Sequence, residues 1–482
     1  MQTRSRHHVN AQMIKRRIIS ESMFGGYFRL LFVLSFGVST MRNYRTTMRG
    51  CFLLISLSLF GLAIAAVRYD NYKVLRISPQ TEADLLWVNT LAEVWENRVD
   101  IWKHPRQVGS PVDVMVAPHW QTEFFDVLND QGIKYSEMIA DVQEIMSKEA
   151  ETVFKRRKRS TTQITDNNEF NYTVYHTLEE IYKWITDTAN ENYMIASREQ
   201  LSTSHEGRPV TAIKLGAPGN QGNKPIAYIQ GGIHAREWVS PATMMGLVKQ
   251  LIDGYNTNDK VKAMLDTFDW YIVPVLNPDG YSYTWTNDRM WRKNRRKPDG
   301  NVCTGIDLNR NYAYEWGGDG ASPVSCSETY RGPSPLSEPE HEGVTSFLLE
   351  KQQTNGVHLF LDVHSYGQYW LYPWGYTGSK TVPLPDRRDL RSLAMAAEDA
   401  ITAKHGMDYF VGESGPDFYP AAGASEDWGY GALGAKYTYV IELRDEGKYG
   451  FLLPETEIKY TVEEMFEALL VVGERLISEF GS

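Results

Sequence analysis

The chain has 482 residues, of which 42% are hydrophobic and 23% charged, a mixture typical of globular proteins that excludes a collagenous or largely disordered chain. This length predicts two folded units with additional segments rather than one small domain. The formal net charge of -10 argues against nucleic acid as a partner, because phosphate binding requires clustered basic residues.

An uncharged apolar run, residues 51–66, lies near the N-terminus and follows Met48-Arg49-Gly50. A basic start, an apolar stretch and an end in small residues are typical of a secretory signal peptide, which we assign to residues 48–66. The run is short for a membrane span, which needs about 20 apolar residues. We therefore expect a secreted, extracellular protein. Residues 1–47 would then result from a wrongly assigned translation start, and a signal-anchored membrane protein is the alternative.

Residues 67–159 contain short segments of alternating and of helical hydrophobic periodicity. Strands are predicted over 73–77, 112–116 and 134–139, and helices over 81–95, 121–128 and 141–148. Strands interleaved with helices over about 90 residues predict a small α+β domain with an antiparallel sheet.

Five consecutive basic residues, 155–159, end this region. Such a run is often only a solvated segment. Here it lies between two differently patterned regions, and trypsin-like proteases cut after basic residues where the backbone is exposed and flexible. We interpret the run as the cleavage site of a zymogen, with a plain linker as the alternative.

Residues 160–482 carry longer apolar runs. Strands are predicted over 225–230, 270–275, 357–361 and 437–441, and helices over 240–251, 338–351 and 390–405. Nearly continuous apolar runs are typical of strands buried on both faces. The alternation predicts an α/β fold, in which helices cover both faces of a mixed, mostly parallel sheet.

Three potential metal ligands follow predicted core strands. His234 and Glu237 are three residues apart just after the first strand, and His364 follows the third. Two imidazoles and one carboxylate suit Zn²⁺ and leave a fourth coordination position open, as in catalytic rather than structural zinc sites. His-x-x-Glu alone is more often a surface pair, so this prediction depends on the second histidine.

Glu442 follows the fourth predicted strand, where a buried carboxylate is costly unless it has a partner or a role. One interpretation is a structural ion pair with Arg444. The other is a general base beside the metal site.

Residues 160–482 resemble the pancreatic-type zinc metallocarboxypeptidases, the A/B branch of that family. The resemblance rests on six motifs in the family's order: HAREW (234–238), NPDGY (277–281), RMWRKNR (289–295), DLNRNY (307–312), HSY (364–366) and IELRD (441–445). Residues 67–159 resemble the family's activation propeptide. The resemblance implies a monomeric, zinc-dependent exopeptidase that releases single C-terminal residues from peptides. It also implies a zymogen that a trypsin-like protease activates.

The resemblance assigns roles to single residues. His234, Glu237 and His364 would bind one Zn²⁺, and Glu442 would be the base that activates water. Arg292 would stabilise the oxyanion, a task for a fixed positive charge, and Asp307 would orient His234. Substrate binding would fall to Arg236, Asn309, Arg310, Tyr366, Tyr419 and Glu426.

Cys303 and Cys326 are the cysteines that remain if Cys51 is removed with the signal peptide. In an oxidising compartment they would close one loop, and two free buried thiols are the alternative. The resemblance implies the disulfide.

Glu426 occupies the position that the family uses to select the terminal side chain. A buried carboxylate there favours Lys or Arg through charge pairing. Ala424 stands where the family usually carries Gly, and Gly375 and the neighbourhood of Ser414 depart from the basic-specific pattern. A preference for apolar or aromatic side chains is therefore the alternative. A further alternative has Glu426 turned away and paired with a nearby base such as Lys436. An inactive, membrane-tethered peptide-binding homologue is the remaining hypothesis.

Overall fold

The computed structural model describes residues 66–95, 98–162, 170–218, 224–297, 300 and 302–481. Apart from Ala66, the predicted signal peptide and the upstream extension lie outside the described residues. Within the described ranges, no helix combines the length and the hydropathy that a membrane crossing requires.

The N-terminal domain is built on a four-stranded antiparallel sheet. Its strands are β1 (Lys73–Ser78), β2 (Val99–Lys103), β3 (Val112–Val116) and β4 (Lys134–Ile139), in the spatial order β2-β3-β1-β4. Its helices are α1 (Glu82–Val94), α2 (Gln121–Asp130) and α3 (Val142–Thr162). Alternate residues of β1 and β3, such as Leu75 and Val114, pack against Phe124 of α2. The predicted α+β domain with an antiparallel sheet is confirmed.

Helix α3 is longer than the predicted 141–148 and continues through the basic run to Thr162. Residues 142–162 contain neither Gly nor Pro and are rich in Glu, Lys and Arg, which favour helix. Arg156 donates to Glu455 at 2.6 Å and to the carbonyl oxygen of Tyr175 at 2.8 Å, both in the C-terminal domain. The basic run is therefore helical, and not the flexible backbone that the sequence suggested.

The C-terminal domain is built on an eight-stranded sheet. Its strands are β5 (Ala196–Thr203), β6 (Pro209–Leu215), β7 (Ile226–Gly231), β8 (Asp269–Val273), β9 (Val357–Ser365), β10 (Tyr369–Tyr372), β11 (Phe410–Glu413) and β12 (Tyr437–Leu443). The spatial order is β11-β10-β12-β9-β7-β8-β6-β5. The central strands β12, β9, β7 and β8 are parallel, whereas β10, β6 and β5 pair antiparallel with a neighbour.

Helices lie on both faces of this sheet, and an apolar cluster fills the space between the sheet and the helices on each face. They are α4 (Leu178–Glu191), α5 (Val239–Gly254), α6 (Asp259–Thr267), α7 (Pro278–Thr286), α8 (Pro339–Thr354), α9 (Arg387–His405), α10 (Ser414–Asp417), α11 (Ser425–Trp428) and α12 (Ile458–Phe480). Shorter helical turns cover Pro118–Trp120, Leu308–Arg310, Gly429–Leu433, Gly450–Leu452 and Glu455–Glu457. The predicted α/β fold with a mixed sheet is confirmed, and Cys303 and Cys326 are joined in a disulfide.

The face of the N-terminal sheet opposite its own core packs on the C-terminal domain. Val74, Trp102 and Met115 of that sheet form one apolar cluster with Tyr366 and Phe451. Burial of these large side chains fixes β2 over the carboxyl ends of the central parallel strands, where ligand sites of open α/β sheets gather.

Candidate active site

Three donor side chains meet where two central strands end. His234 and Glu237 lie in the turn between β7 and α5, and His364 is the penultimate residue of β9. The chain turns sharply after β7 because Gly232 adopts a φ of +63°, and a Cβ there would lie 3.1 Å from the carbonyl oxygen of Pro274. This turn brings His234 and Glu237 beside β9.

The ligand atoms of His234, Glu237 and His364 all lie within 4.8 Å of one another, and all three residues are buried. The Nδ1 atom of His234 is 2.8 Å from Glu237 Oε1 and 3.1 Å from His364 Nδ1. Burial opposes ionisation of Glu237, but the two imidazoles hold the pKa of that carboxyl well below its usual range. Two nitrogens and a carboxylate that converge in this way fit Zn²⁺, for which they are common ligands.

Each imidazole turns its second nitrogen towards a carboxylate. His234 Nε2 is 3.1 Å from Asp307 Oδ1, and His364 Nε2 is 3.1 Å from Asp362 Oδ2. Asp307 also accepts from Arg292 Nη2 at 2.9 Å, which fixes that guanidinium beside the triad. Asp307 was predicted from the sequence, whereas Asp362 was not. The sequence signal for Asp362 is an acid two residues before a histidine on an apolar strand.

Glu442 lies opposite His364 in the register between β12 and β9, and both residues line one cavity. Its Oε2 atom is buried and has no hydrogen-bond partner among the described residues. Burial raises the pKa of Glu442 to about 8. Arg444 instead donates to Glu464 and Glu457, so the structural ion pair between Glu442 and Arg444 is not formed.

That cavity contains most of the side chains singled out in the sequence. It is lined by His234, Arg292, Asn309, Arg310, His364, Leu371, Ser414, Phe418, Tyr419, Ala421, Ala424, Glu426, Val440 and Glu442. Arg310 is held by two backbone carbonyl groups, because its Nε donates to Gly320 at 2.8 Å and its Nη1 to Asn309 at 2.7 Å. Its Nη2 is buried without a partner in the described part of the chain, so a donor remains for a ligand.

Glu426 is 1% exposed, and its Oε1 accepts from Ser414 Oγ at 2.6 Å. Its Oε2 is buried and has no hydrogen-bond partner within the described ranges. Burial raises the pKa of Glu426. Gly375 leaves the space that this carboxylate fills, since a Cβ at that position would clash with Oε1. Lys436 binds Asp389 and Glu479 instead, so Glu426 is not turned towards it.

The N-terminal domain covers the entrance to this site. Arg236 donates to both carboxylate oxygens of Asp100, at 2.6 and 3.2 Å. Tyr366 donates to Asp113 at 2.9 Å. The centroids of the His104 and Tyr419 rings lie 4.4 Å apart. Three residues predicted to bind substrate, Arg236, Tyr366 and Tyr419, therefore contact the N-terminal domain.

Comparisons with known proteins follow the same division of the chain. Residues 181–468 match the family described as zinc carboxypeptidase, and residues 75–149 match the carboxypeptidase activation peptide. Carboxypeptidase A1 of Bos taurus is 36% identical over 88% of this chain and 99% of its own length.

Two solved structures resemble most of the chain. Thrombin activatable fibrinolysis inhibitor is 32% identical, with a TM-score of 0.74 over 85% of this chain and 100% of that one. Carboxypeptidase A from Helicoverpa armigera is 27% identical, with a TM-score of 0.75 over 84% of this chain and 97% of that one.

Proposed function

This chain belongs to the zinc carboxypeptidase family and carries that family's activation peptide, and from this premise we propose that it releases single C-terminal Lys and Arg residues from peptides. The enzyme is a metal-dependent peptide hydrolase made as a zymogen. The observation that supports the basic preference is the buried, half-satisfied carboxylate of Glu426 in the cavity beside the metal-ligand triad.

We assign the metal to His234 Nδ1, His364 Nδ1 and the carboxylate of Glu237. The chemistry that a bound Zn²⁺ supplies in such a site is Lewis acidity, which polarises a carbonyl group and lowers the pKa of water. The buried, tightly grouped donors support this assignment.

Glu442 handles the proton in the proposed reaction. It accepts a proton from the attacking water and delivers it to the leaving amine. Its position opposite His364 and its unpartnered Oε2 support this role. Arg292, held by Asp307, supplies a fixed positive charge for the oxyanion that develops on the scissile carbonyl.

Arg310 is the main site for the terminal carboxylate of the substrate. Its free Nη2 donor lies in the cavity, and a guanidinium binds a carboxylate through strong, charge-assisted hydrogen bonds. We assign Asn309 and Tyr419 to the same carboxylate. An internal residue of a peptide has no such carboxylate, which explains cleavage of the terminal bond only.

Glu426 selects the terminal side chain in this proposal. A Lys or Arg side chain would bring a positive charge to Glu426 Oε2, whereas an aromatic side chain would leave that oxygen buried and unpaired. A second candidate is a preference for apolar side chains. Leu371, Phe418 and Val440 line the same cavity, and the raised pKa of Glu426 favours its neutral form.

The test uses trypsin-treated protein and four peptides that differ only in a C-terminal Lys, Arg, Phe or Leu. We expect kcat/KM to be highest for Lys and Arg and to vanish with a zinc chelator. Glu426→Gln should lower kcat/KM for the basic peptides about 100-fold, because losing one partner of a buried charge pair costs about 2–5 kcal/mol. The Phe peptide is the matched control, and its turnover should persist. A wild-type preference for Phe would contradict the proposal in favour of the second candidate.

We also propose that the protein is secreted, that a trypsin-like protease cuts at residues 155–159, and that residues 160–482 act as a monomer. The Cys303–Cys326 disulfide supports passage through an oxidising compartment. Sequencing the N-terminus of the protein recovered from culture medium tests this directly. A start near Val67 before trypsin and near Ser160 afterwards is expected, and retention in the membrane fraction would contradict secretion.

A further inference from the structure

Asp362 is a buried acid to which the proposed reaction assigns no role. It is 0% exposed and lies on β9 two residues before His364, so both side chains point to the same face of the sheet. Its Oδ2 atom lies 3.1 Å from His364 Nε2. Neither carboxylate oxygen has a hydrogen-bond partner in the part of the chain that the structure describes, and this imidazole lies within ion-pair distance of Oδ2.

The surroundings of Asp362 do not compensate for its charge. Its neighbour across the sheet on β7, Gln230, uses its amide group on the hydroxyls of Tyr228 and Tyr312. Its neighbour on β12 is Val440. Burying an ionised carboxylate without a partner costs several kcal/mol, and the imidazole of His364 is the nearby group that can offset this cost.

The arrangement matches the other side of the triad. Asp307 approaches His234 Nε2 at the same 3.1 Å, and both histidines present Nδ1 to Glu237. A carboxylate at Nε2 keeps the proton on that nitrogen, leaves the lone pair on Nδ1 and fixes the plane of the ring. Asp307 is hydrogen-bonded to His234, to Arg292 and to the backbone N–H of Asn309. Within the described ranges, Asp362 forms an ion pair with His364 and no hydrogen bond, and His364 Nε2 also lies 3.5 Å from Asn309 Nδ2.

We propose that Asp362 is a positioning residue that orients His364 as a zinc ligand. The proposal rests on the assignment of His364 to the metal. In this proposal each zinc-binding imidazole has one buried acid at its Nε2 atom, Asp307 for His234 and Asp362 for His364. Asp362 does not touch the substrate.

The experiment measures zinc affinity in the trypsin-activated protein by competition with a chromophoric chelator. Asp362→Asn keeps the shape with a weaker acceptor, and Asp362→Leu removes the acceptor while suiting the apolar surroundings. We expect the zinc dissociation constant to rise about 10-fold for the first and about 100-fold for the second, the usual range for such supporting groups. The melting temperature of the metal-free protein should stay the same or rise, because a buried charge is removed.

Glu340→Gln is the matched control. Glu340 is also 0% exposed, and its Oε2 has no hydrogen-bond partner among the residues that the structure describes. Its Oε1 accepts from the backbone N–H of His205 and not from a metal ligand. This variant should bind zinc like the wild type.

Unchanged zinc affinity in both Asp362 variants, with a lower melting temperature of the metal-free protein, would assign Asp362 a structural role and overturn the proposal. If either variant fails to fold, the other still decides. Wild-type protein that binds zinc no better than His364→Ala would overturn the metal assignment itself, and the two failures are therefore distinguishable.

Discussion

The entrance and the floor of the cleft differ in whether their side chains contact the N-terminal domain. The entrance, formed by Arg236, Tyr366 and Tyr419, is in contact with the N-terminal domain at every one of these residues. The floor, formed by Arg310, Glu426 and Glu442, keeps one buried atom per residue without a partner among the described residues. The N-terminal domain therefore covers the entrance, and within the described ranges it donates no hydrogen bond to these atoms of the floor.

This difference indicates how latency and catalysis are separated. A buried polar atom without a partner costs about 1–3 kcal/mol, and such atoms occur where a ligand later supplies the partner. The floor consequently has free hydrogen-bonding atoms for ligands while the N-terminal domain, the cover, still lies over the entrance. Four changes test this separation.

Glu442→Gln should abolish most activity of the trypsin-treated enzyme. The floor then lacks its proton acceptor, and a positioned base contributes about 10²–10⁴-fold, so we expect a loss in kcat of about 10³-fold. Steady-state kinetics measure the loss, and the zinc content is the control, since Glu442 is not among the assigned ligands. Activity within tenfold of the wild type would show that another group acts as the base.

Arg310→Lys should lower kcat/KM about 100-fold for peptides with a free C-terminus. A lysine keeps the positive charge but loses the planar fork, and each hydrogen bond to a charged group contributes about 1.5–3 kcal/mol. The same peptides with an amidated C-terminus serve as the control, because the variant should not slow their residual hydrolysis further. Equal losses for both sets would argue against a carboxylate site at Arg310.

The preference for basic over aromatic residues should depend on pH through Glu426. Burial raises the pKa of this carboxyl, so it is neutral at low pH and becomes an anion as the pH rises through the raised value. The ratio of kcat/KM for Lys to that for Phe should therefore increase several-fold between about pH 5 and about pH 9, while the lysine side chain stays charged. In Glu426→Gln the ratio should be flat, and a sloping ratio would assign the effect to another group.

Asp100→Asn should loosen the cover without changing the floor. The ion pair with Arg236 is partly buried, and a loss of about 1 kcal/mol would raise the activity of the intact zymogen on a small peptide about fivefold. Residue 100 is absent from the proposed mature enzyme, so trypsin-treated variant and wild type should be indistinguishable. If the variant zymogen were no more active on the small peptide than the wild-type zymogen, apolar contacts alone would maintain latency.

The sequence predicted the floor better than the cover for a physical reason. His234, His364 and Glu442 follow apolar strands whose carboxyl ends must meet at one edge of a parallel sheet. The contact between Asp100 and Arg236 joins two domains and leaves no periodic pattern in either segment.

The strands that the sequence did not predict are mainly those at the edges of the sheets. β5 is rich in polar residues, and β10 and β11 have only four residues each. Such segments become strands because a neighbouring strand offers hydrogen bonds, which local sequence does not encode. Asp362 was not predicted because its proximity to His364 Nε2 depends on how the imidazole ring is oriented, which the sequence does not show.

The helical conformation of the basic run adds a step to the proposed activation. A serine protease binds its substrate as an extended strand, so the last turns of α3 must unwind before any bond there can be cut. The contacts of Arg156 with Glu455 and Tyr175 oppose that opening. If cleavage takes place in this run, as proposed, the rate of maturation depends on how often the helix end opens as well as on the protease concentration.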